Sequence, residues 1–405
     1  MERFTPVGEL IAIHRRRRGL SQVQLAGLLG RSESWLSQVE RGVRSVDRIS
    51  VLVEIAGALG IPVSELTAGL PLLRDLADDH GAVHAIRLAM SGHDVLSVML
   101  ERHGQAAGEA PDLSALRSEV QRAWQLVHGS RYTDLGVLLP GLIPRAELTA
   151  RQTAGEERKA AFSLLAVLYQ ATAAMMAKLG ETDMAWVAAD RSVVAAERAD
   201  APLLAVAGDF RLGHAFLGGG KLEQAKRVVV TAAAALEGRL ADGPADLVAL
   251  WGALHLVAAI VAARQNDSGQ AWAHLRKAES AAARLGEDRN DFHTEFGPTN
   301  VALHGLAVAV ELGDPGEALR RSVEIDPSRL SAERRARYLI DVARAHGQRR
   351  NSGEAVASLM AAESLAPEEV RHFVLVQDML RDLLRRERRR TSAELRALAE
   401  RVGVI

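Results

Sequence analysis

One short pattern recurs five times between residues 183 and 355 and limits the possible folds more than any other feature. Each copy is a turn that leads into an acidic, amide or glycine residue and, shortly after, an alanine. The five copies are Asp183-Met184-Ala185, Glu223-Gln224-Ala225, Gly269-Gln270-Ala271, Gly316-Glu317-Ala318 and Gly353-Glu354-Ala355. Their alanines lie 40, 46, 47 and 37 residues apart, and each copy starts a helix that follows another helix. A pair of helices that recurs at this spacing predicts an α-solenoid.

The alanine in each copy has a physical reason. In such repeats the second helix crosses the first closely, and only a small side chain fits at the contact. The composition agrees, because 48% of the residues are hydrophobic but only 4% are aromatic, and alanine is the most frequent apolar residue. Alanine favours helix. We therefore expect an all-α protein built from many closely packed helices.

The N-terminal residues 7–66 follow a different pattern, in which helix start and stop signals alternate at short intervals. A first helix over residues 7–18 ends at Gly19. Ser21 is a suitable N-cap, and Gln24 three residues later completes a capping box. The second helix ends at Gly30, which supplies the left-handed stop. A third, capped by Ser32, runs to Gly42, so two short amphipathic helices lie almost end to end.

Two further helices are predicted near residues 47–59 and 63–69, which gives this N-terminal region five helices. The domain boundaries that follow are a five-helix domain over residues 1–69, a helical connector over 70–111, a repeat domain over 112–390 and a capping helix over 391–405. The connector is expected to be interrupted at Gly81, Gly92 and Gly104. The repeat domain begins with a helix pair at residues 113–128 and 132–147.

Charge and cysteine content exclude several classes of function. The net charge of −1 argues against a protein that coats nucleic acid, although residues 1–69 carry nine arginines against seven acidic residues. There is no cysteine, so disulfides, thiolate zinc sites and cysteine nucleophiles are excluded. No apolar signal segment begins the chain, and apolar runs such as residues 254–263 are too short to span a bilayer. We expect a cytoplasmic protein without a membrane partner.

No residue pattern indicates catalysis, a cofactor or a metal. His80 and His84 have the spacing of a helical metal site, but Gly81 weakens that helix and no HExxH glutamate is present. The segment at residues 218–221 lacks the GxxxxGK[ST] spacing of a phosphate loop. We expect a protein that is not an enzyme, with no catalytic residue, no cofactor and no metal.

Residues 7–66 resemble the lambda-repressor-like, xenobiotic-response-element family of helix-turn-helix DNA-binding domains. The matching residues are Arg17-Arg18-Gly19-Leu20-Ser21-Gln22, Leu25-Ala26, Leu29-Gly30, Ser32, Ser34, Leu36-Ser37, Glu40-Arg41-Gly42, Ile55-Ala56, Ala58-Leu59-Gly60-Ile61 and Leu66. Residues 112–390 look like tetratricopeptide repeats with a longer period than the standard one. The combination is similar to bacterial regulators that couple such a DNA-binding domain to a repeat domain sensing a peptide or a small molecule.

The resemblance implies that the third helix enters the major groove of double-stranded DNA. Four residues of its first two turns are expected to meet base edges: Glu33, Ser34, Trp35 and Gln38. A glutamine can bond adenine in two places, and a glutamate can accept from cytosine. Trp35 is open to two interpretations, since it either packs on a thymine methyl or a sugar, or completes the core. Leu36 and Val39 would point inward, with Leu25, Leu28 and Ile55 among their neighbours.

Four further residues are expected to contact phosphate: Gln22, Arg41, Arg44 and Arg48. In the run Arg15–Arg18, the resemblance implies a salt bridge between Arg15 and Glu40, while the other three arginines face solvent or the DNA backbone. A single domain of this kind makes few contacts, so we expect a homodimer on an inverted-repeat operator. The protein would then be nucleoid-associated when bound to DNA.

A solenoid leaves a concave face lined by the first helix of each pair. Polar and aromatic residues of those helices are candidates for contact with a peptide or small-molecule effector: Tyr169, Arg211, His214, Trp251, His255, Phe296, Asn300 and His304. The alternative is that each of them fills a gap between helices. Trp251 with His255, and Asn300 with His304, are each spaced to share one helix face.

Two functions remain on the sequence alone. The first is a DNA-binding transcriptional regulator with a repeat domain that responds to a peptide, a small molecule or a protein partner. The second is a protein-interaction adaptor, antitoxin-like or signalling, whose DNA binding is vestigial. The set Gln22, Ser34, Gln38 and Arg41 favours the first.

Overall fold

The computed structural model describes residues 7–42, 49–59, 61, 71–91, 112–386 and 392–405. These residues form helices, short turns and one 3₁₀ turn, with no strand among them. The expectation of an all-α protein is therefore confirmed. The chain divides into two compact units, Met1–His84 and Ala85–Ile405.

Four helices of the first unit are described: α1 (Val7–Arg17), α2 (Gln22–Leu28), α3 (Glu33–Glu40) and α4 (Ile49–Leu59). The capping box is confirmed, because Ser21 Oγ accepts from the Gln24 amide at 3.1 Å and Gln24 Oε1 accepts from the Ser21 amide at 2.8 Å. Gly30 has φ +61°, the left-handed stop expected after α2. The predicted fifth helix at residues 63–69 lies outside the described residues.

The core of this unit consists of Ile11, Leu25, Ala26, Leu36, Val39, Ile55, Ala56 and Leu59. Leu36 and Val39 point inward as predicted. The prediction for Leu28 was wrong, because 64% of it is exposed. Leu29, one residue further along this seven-residue helix, packs on the core instead.

Gly8 sets how closely α1 approaches the end of α3. A Cβ at this position would lie 2.1 Å from the carbonyl oxygen of Val39, which is backbone and cannot move aside like a flexible side chain. The close contact therefore requires glycine at this position, although nothing in the local sequence pattern marks it.

A long helix, α5 (Pro71–Ser91), spans the division between the two units. The expected interruption at Gly81 was wrong, since α5 is continuous through that residue. Glycine inside a helix costs about 1 kcal/mol relative to alanine, which weakens a helix without ending it. The breaks expected at Gly92 and Gly104 lie outside the described residues.

Six helix pairs follow in the second unit. They are α6 (Leu113–His128) with α7 (Tyr132–Gln152), α8 (Gly155–Lys178) with α9 (Thr182–Arg198), α10 (Pro202–Gly218) with α11 (Leu222–Glu237), α12 (Ala245–Arg264) with α13 (Ser268–Leu285), α14 (Pro298–Glu311) with α15 (Pro315–Ser322), and α16 (Ala332–Gln348) with α17 (Ser352–Leu365). The chain continues with α18 (Pro367–His372), α19 (Val374–Arg386) and α20 (Ala393–Arg401). Helix α7 runs five residues beyond its predicted end and contains Pro140 and Pro144.

The first helices of the pairs form one layer and the second helices form another. Each first helix contacts the first helix of the next pair, from α6 through to α16, and α16 also contacts α6. The inner layer therefore curves until its two ends meet. Stacked pairs with a common inner layer are the arrangement that the repeat predicted.

The five landmark alanines lie at the contact between the two layers. Ala185, Ala225, Ala271, Ala318 and Ala355 are each 0% exposed. Each stands in the first turn or two of a second helix, α9, α11, α13, α15 or α17. Their burial confirms that the pattern marks close helix crossings.

Polar contacts join the two ends of the curved inner layer. The hydroxyl of Tyr132 donates to Glu369 at 2.6 Å, and Lys178 forms ion pairs with Glu333 and with Glu369, the latter at 2.7 Å. Glu333 and Glu369 are both buried. Lys178 therefore links α8 to α16 and α18, and Tyr132 links α7 to α18.

Among the described residues of this unit, two helices are long and apolar enough to cross a membrane by length and composition. The short apolar run at residues 254–263 did not indicate this. The two helices are Gly155–Lys178 and Ala245–Arg264, and 72% and 83% of their apolar windows are buried inside the fold. Their apolar side chains are therefore used in packing between helices, as in the core helices of other proteins.

Because the two layers cross closely, substitutions of two alanines of α13 should have very different effects on the free energy of unfolding. Ala271→Leu should lower the free energy of unfolding by about 1–3 kcal/mol, because a larger side chain overfills a packed contact. Urea denaturation followed by circular dichroism measures the change. Ala283→Leu is the matched control, since Ala283 is exposed on the same helix, and it should change stability by less than about 0.5 kcal/mol. Equal effects of the two substitutions would contradict the assignment.

Candidate functional site

The outward face of α3 carries the residues predicted to read bases. Glu33 and Ser34 are exposed, while Trp35 and Gln38 are partly buried. Within the described part of the chain, no hydrogen bond engages the side chains of Glu33, Ser34 or Gln38. Polar groups at the start of an exposed helix that have no internal partner are available to an external one.

Trp35 is partly buried and makes the core contact that was one of its two interpretations. Its indole packs against the edge of the core that contains Leu36 and Val39. The guanidinium of Arg31 lies 5.5 Å from the ring centroid, so the same ring carries a cation on its outer side. The side chain is therefore both a core contact and a part of the surface of α3.

The predicted salt bridge between Arg15 and Glu40 is confirmed. Arg15 Nε donates to Glu40 Oε1 at 2.6 Å and its Nη2 donates to Oε2 at 2.9 Å, which is a two-point contact. It ties the end of α3 to α1. Burial opposes the charge on Glu40, but the hydrogen bonds from Arg15 and Gln22 prevail and lower the pKa of this carboxyl below its ordinary value.

Gln22 lies where its amide also reaches the end of α3. Its Nε2 donates to Glu40 Oε2 at 2.7 Å, so the side chain predicted to contact phosphate is held by an internal bond. Arg41 is exposed, and its Nε donates to the Ser37 carbonyl at 3.2 Å. Arg44 and Arg48 lie outside the described residues.

The inner layer of the second unit surrounds a cavity of about 220 Å³. All six first helices contribute to its wall, with side chains such as Trp124 from α6, Lys178 from α8, Arg211 from α10, Arg264 from α12 and Asn300 from α14. Glu333, Arg334 and Asp341 of α16 complete the wall. The expectation that first helices line the concave face is confirmed.

Four of the eight residues predicted to contact an effector meet in this cavity: Arg211, His214, Asn300 and His304. Burial and the nearby cation Arg211 lower the pKa of His214. Burial and Arg334 lower the pKa of His304 to about 4. Both imidazoles are therefore neutral at pH 7. The Nδ1–H of His304 donates to the Asn300 carbonyl oxygen at 2.9 Å, which leaves its Nε2 as an acceptor.

The other four predicted residues lie elsewhere. The hydroxyl of Tyr169 donates to Glu147 of α7, and Trp251 stacks edge-on against His255 with ring centroids 4.3 Å apart. His255 Nδ1 lies 2.9 Å from His274 Nδ1 on α13. The prediction that these residues lie on the concave face was wrong. Each first helix has the cavity on one side and the second layer on the other, and these side chains face the second layer. They fill gaps between helices, which is the alternative that the sequence left open.

Phe296 is also buried away from the cavity, and it anchors the connection between α13 and α14. A Cβ on Gly252 would lie 2.1 Å from the Phe296 ring, so only glycine allows the contact. Ahead of it, Phe292 and His293 have φ of 50° and 58°, a conformation that is costly for residues other than glycine. Tertiary contacts must therefore hold this connection.

One of those contacts is a stack across the cavity wall. The His293 ring lies on Trp124 of α6 with centroids 4.0 Å apart and an interplanar angle of 4°. Arg211 lies over the same indole at 4.7 Å, and its Nη2 donates to the His293 carbonyl at 2.7 Å. The sequence reasoning did not select Trp124, Lys178, Glu333 or Arg334. A signal for Trp124 was available, since it is the large aromatic residue of a first helix.

Comparison with known proteins finds a matching family model and similar proteins, among them one transcriptional regulator and one solved structure. A family model described as a helix-turn-helix domain matches residues 6–68. The HTH-type transcriptional regulator SlrR of Bacillus subtilis (strain 168) is 28% identical over 89 residues, 21% of this chain and 59% of SlrR. The crystal structure of Bacillus thuringiensis PlcR in complex with the peptide PapR7 and DNA is 13% identical, covers 89% of this chain and 98% of PlcR, and has a TM-score of 0.34.

The N-terminal unit therefore contains a helix-turn-helix domain similar to the xenobiotic-response-element type, as its residues predicted. This chain spans about 59% of the length of SlrR.

The Arg15–Glu40 pair makes the stability of the first unit depend on pH. Since the folded-state pKa of Glu40 is lowered, its contribution is present above the ordinary value of about 4.5 and is lost as pH falls through the folded pKa. Glu40→Gln should reduce stability at pH 7 by about 1–3 kcal/mol and flatten the acid dependence. Hydrogen exchange of peptides from α1 and α3 measures both effects.

Glu9→Gln is the control for this variant, because Glu9 is an exposed carboxylate on α1. It should leave protection of α3 unchanged at every pH. Identical exchange in the Glu40 variant and the parent protein would show that the ion pair does not hold the two helices together.

Proposed function

We propose that the chain is a DNA-binding transcriptional regulator. Its helix-turn-helix domain reads an inverted-repeat operator as a homodimer, and its repeat unit binds an effector that changes this binding. The observation that carries the proposal is the match of residues 6–68 to the helix-turn-helix family, together with an α3 whose outward polar side chains have no hydrogen bond inside the described residues.

The proposed reading mode uses the polar residues of α3. Gln38 bonds an adenine through its amide, Glu33 accepts from a cytosine, and Ser34 contacts either kind of base pair. Trp35 packs on a thymine methyl or a sugar, with its inner edge fixed by the core. Because Leu36 and Val39 anchor the helix from the other side, these four side chains reach DNA on a rigid element.

Contacts with DNA phosphates fix the position of the domain along the double helix. Arg41 stands at the C-terminal end of α3, and Gln22 lies at the first turn of α2, where unpaired backbone amides favour an anion. Arg44 and Arg48 would extend this set. The hydrogen bond from Gln22 to Glu40 is compatible with that role, because an amide nitrogen has two N–H groups and Glu40 takes one.

The domain is small and weakly basic, and for that reason we propose a dimer. One helix in one groove supplies few base contacts, and two related domains on two half-sites supply twice as many. The effector site proposed is the inner cavity of the repeat unit. An effector can change DNA binding only if it binds the DNA-competent and incompetent states with different affinity.

Loss of the Gln38 amide should weaken binding at one base position. In DNA selected from a random pool by the full-length protein, Gln38→Ala should cost about 1–3 kcal/mol at a single position of each half-site and leave the others unchanged. Electrophoretic mobility shift with base-substituted operators measures this. Gln121→Ala, which changes an exposed glutamine of α6, is the control and should bind like the parent.

The same selection tests the dimer and the adaptor hypothesis. Recovered sequences should contain two copies of one half-site in inverted orientation, both protected in a footprint. A single half-site bound by one protomer would contradict the dimer. Failure to enrich any sequence would favour the protein-interaction adaptor.

Arg41 should contribute to DNA binding by the same amount whatever the base sequence of the operator. Arg41→Ala should weaken binding to every operator by a similar factor and reduce the slope of log K against log salt by about 1. Fluorescence anisotropy at several salt concentrations gives the slope. Arg276→Ala removes an exposed arginine of α13 and should leave it unchanged. A loss confined to one base position would assign Arg41 to base reading instead.

A further inference from the structure

Arg211 is a buried cation without an ion-pair partner. Only 8% of the residue is exposed, and no carboxylate lies within 4 Å of its guanidinium in the described part of the chain. The other cations of the cavity wall are all paired: Lys178 with Glu333 and Glu369, Arg264 with Glu311, Arg334 with Glu295 and Glu333, and Arg337 with Asp341. Burying an unpaired charge is costly, so Arg211 stands out.

Backbone carbonyls compensate Arg211 only in part. Its Nη2 donates to the carbonyl oxygens of His293 at 2.7 Å and Phe292 at 3.4 Å, while its Nε has no partner. Carbonyl groups are dipoles and do not neutralise a full charge. Burial, with a further contribution from Arg334, lowers the pKa of Arg211 to about 9, so the group still carries its proton at pH 7.

The surroundings of Arg211 favour an anion with a single charge. A guanidinium presents a planar pair of N–H groups that matches a carboxylate at two points. Glu295 and Glu333 act on Arg211 from nearby. A phosphate ester carries about 1.5–2 negative charges at pH 7, so it would exceed the one unpaired cation and be repelled by these carboxylates.

The rest of the wall supplies a few polar groups and apolar surface. Asn300 is 1% exposed, and its Oδ1 has no hydrogen-bond partner among the residues that the structure describes. His214 is a neutral donor or acceptor in the same wall, and His304, whose Nδ1–H donates to the Asn300 carbonyl oxygen, offers an acceptor. The side chains of Val127 and Leu303 supply apolar surface. An apolar pocket with a few fixed polar groups is typical of small-molecule sites.

The volume restricts the size of the ligand. At about 220 Å³ the cavity lies below the range of about 300–1,000 Å³ that is usual for sites of drug-sized ligands. We propose that it binds a small monocarboxylic acid, with the carboxylate on Arg211 and a short apolar body against the apolar side chains of the wall, such as Leu303. This inference deepens the proposed function, on which it rests for its regulatory meaning.

Binding is tested on the purified full-length chain by isothermal titration calorimetry. The probes are benzoate, phenylacetate and hexanoate, each beside its primary amide, together with inorganic phosphate and a pentapeptide with a free C-terminus. We expect at least one of the acids to bind with 1:1 stoichiometry and at least tenfold more tightly than its amide. Phosphate and the pentapeptide should bind more weakly than that acid.

Two substitutions of Arg211 separate its charge from its shape. Arg211→Met should reduce affinity for the acid at least tenfold. Arg211→Lys keeps the charge but not the planar pair of donors, so its affinity for the acid should lie between those of the parent and the Met variant. Arg276→Met on the exposed face of α13 is the control and should bind like the parent. Thermal unfolding of each variant shows whether it is folded, and the Lys variant keeps the test decisive if the Met variant is not.

Three results would overturn the inference: equal binding of acids and amides, no loss in a folded Arg211 variant, or binding of only phosphate or only the peptide. Absence of binding by every acid would overturn it as well. Operator affinity, measured with and without the acid, separates this from the proposed function. An acid that binds without changing operator affinity would contradict the sensing role alone, whereas operator binding without acid binding would contradict only the present inference.

Discussion

The pairing of Lys178 with two buried carboxylates is the interaction on which the cavity depends. Lys178 ends α8, whereas Glu333 begins α16 and Glu369 lies in α18, nearly two hundred residues further along the chain. Tyr132 adds a hydroxyl to the same cluster. Beside it, Glu295 contacts both His128 of α6 and Arg334 of α16 and so joins the first and the last of the six first helices. The cavity exists because the inner layer closes there.

Much of this fold could be predicted because its signals are local or periodic. A capping box needs only four consecutive residues. An alanine that recurs at a regular spacing predicts a stack of helix pairs, and no contact between distant residues has to be known. The Arg15–Glu40 pair followed from a family resemblance. The helix break predicted at Gly81 was wrong because one glycine destabilises a helix only slightly, and the helix-forming residues on either side in α5 outweigh that cost.

The cavity was predicted less well, for a reason rooted in helix geometry. Residues four apart share one face, but that spacing does not say which layer the face meets. Nearly all of α12 is buried, so Trp251 and His255 gave the same pattern as Asn300 and His304 while facing the second layer. The connection through Phe292 and His293 was beyond local reasoning, because Arg211 and Trp124, distant in sequence, hold its backbone.

Closure of the inner layer also changes how the second unit should unfold. In an open stack each pair of helices contacts only its neighbours, so the ends can fray and stability is a sum of local terms. When α16 contacts α6, the last pair cannot separate without exposing Lys178 and its two carboxylates, and no terminal pair is left with a single neighbour. The closed arrangement therefore favours cooperative unfolding, and the insertion of another helix pair would open the ring rather than lengthen it.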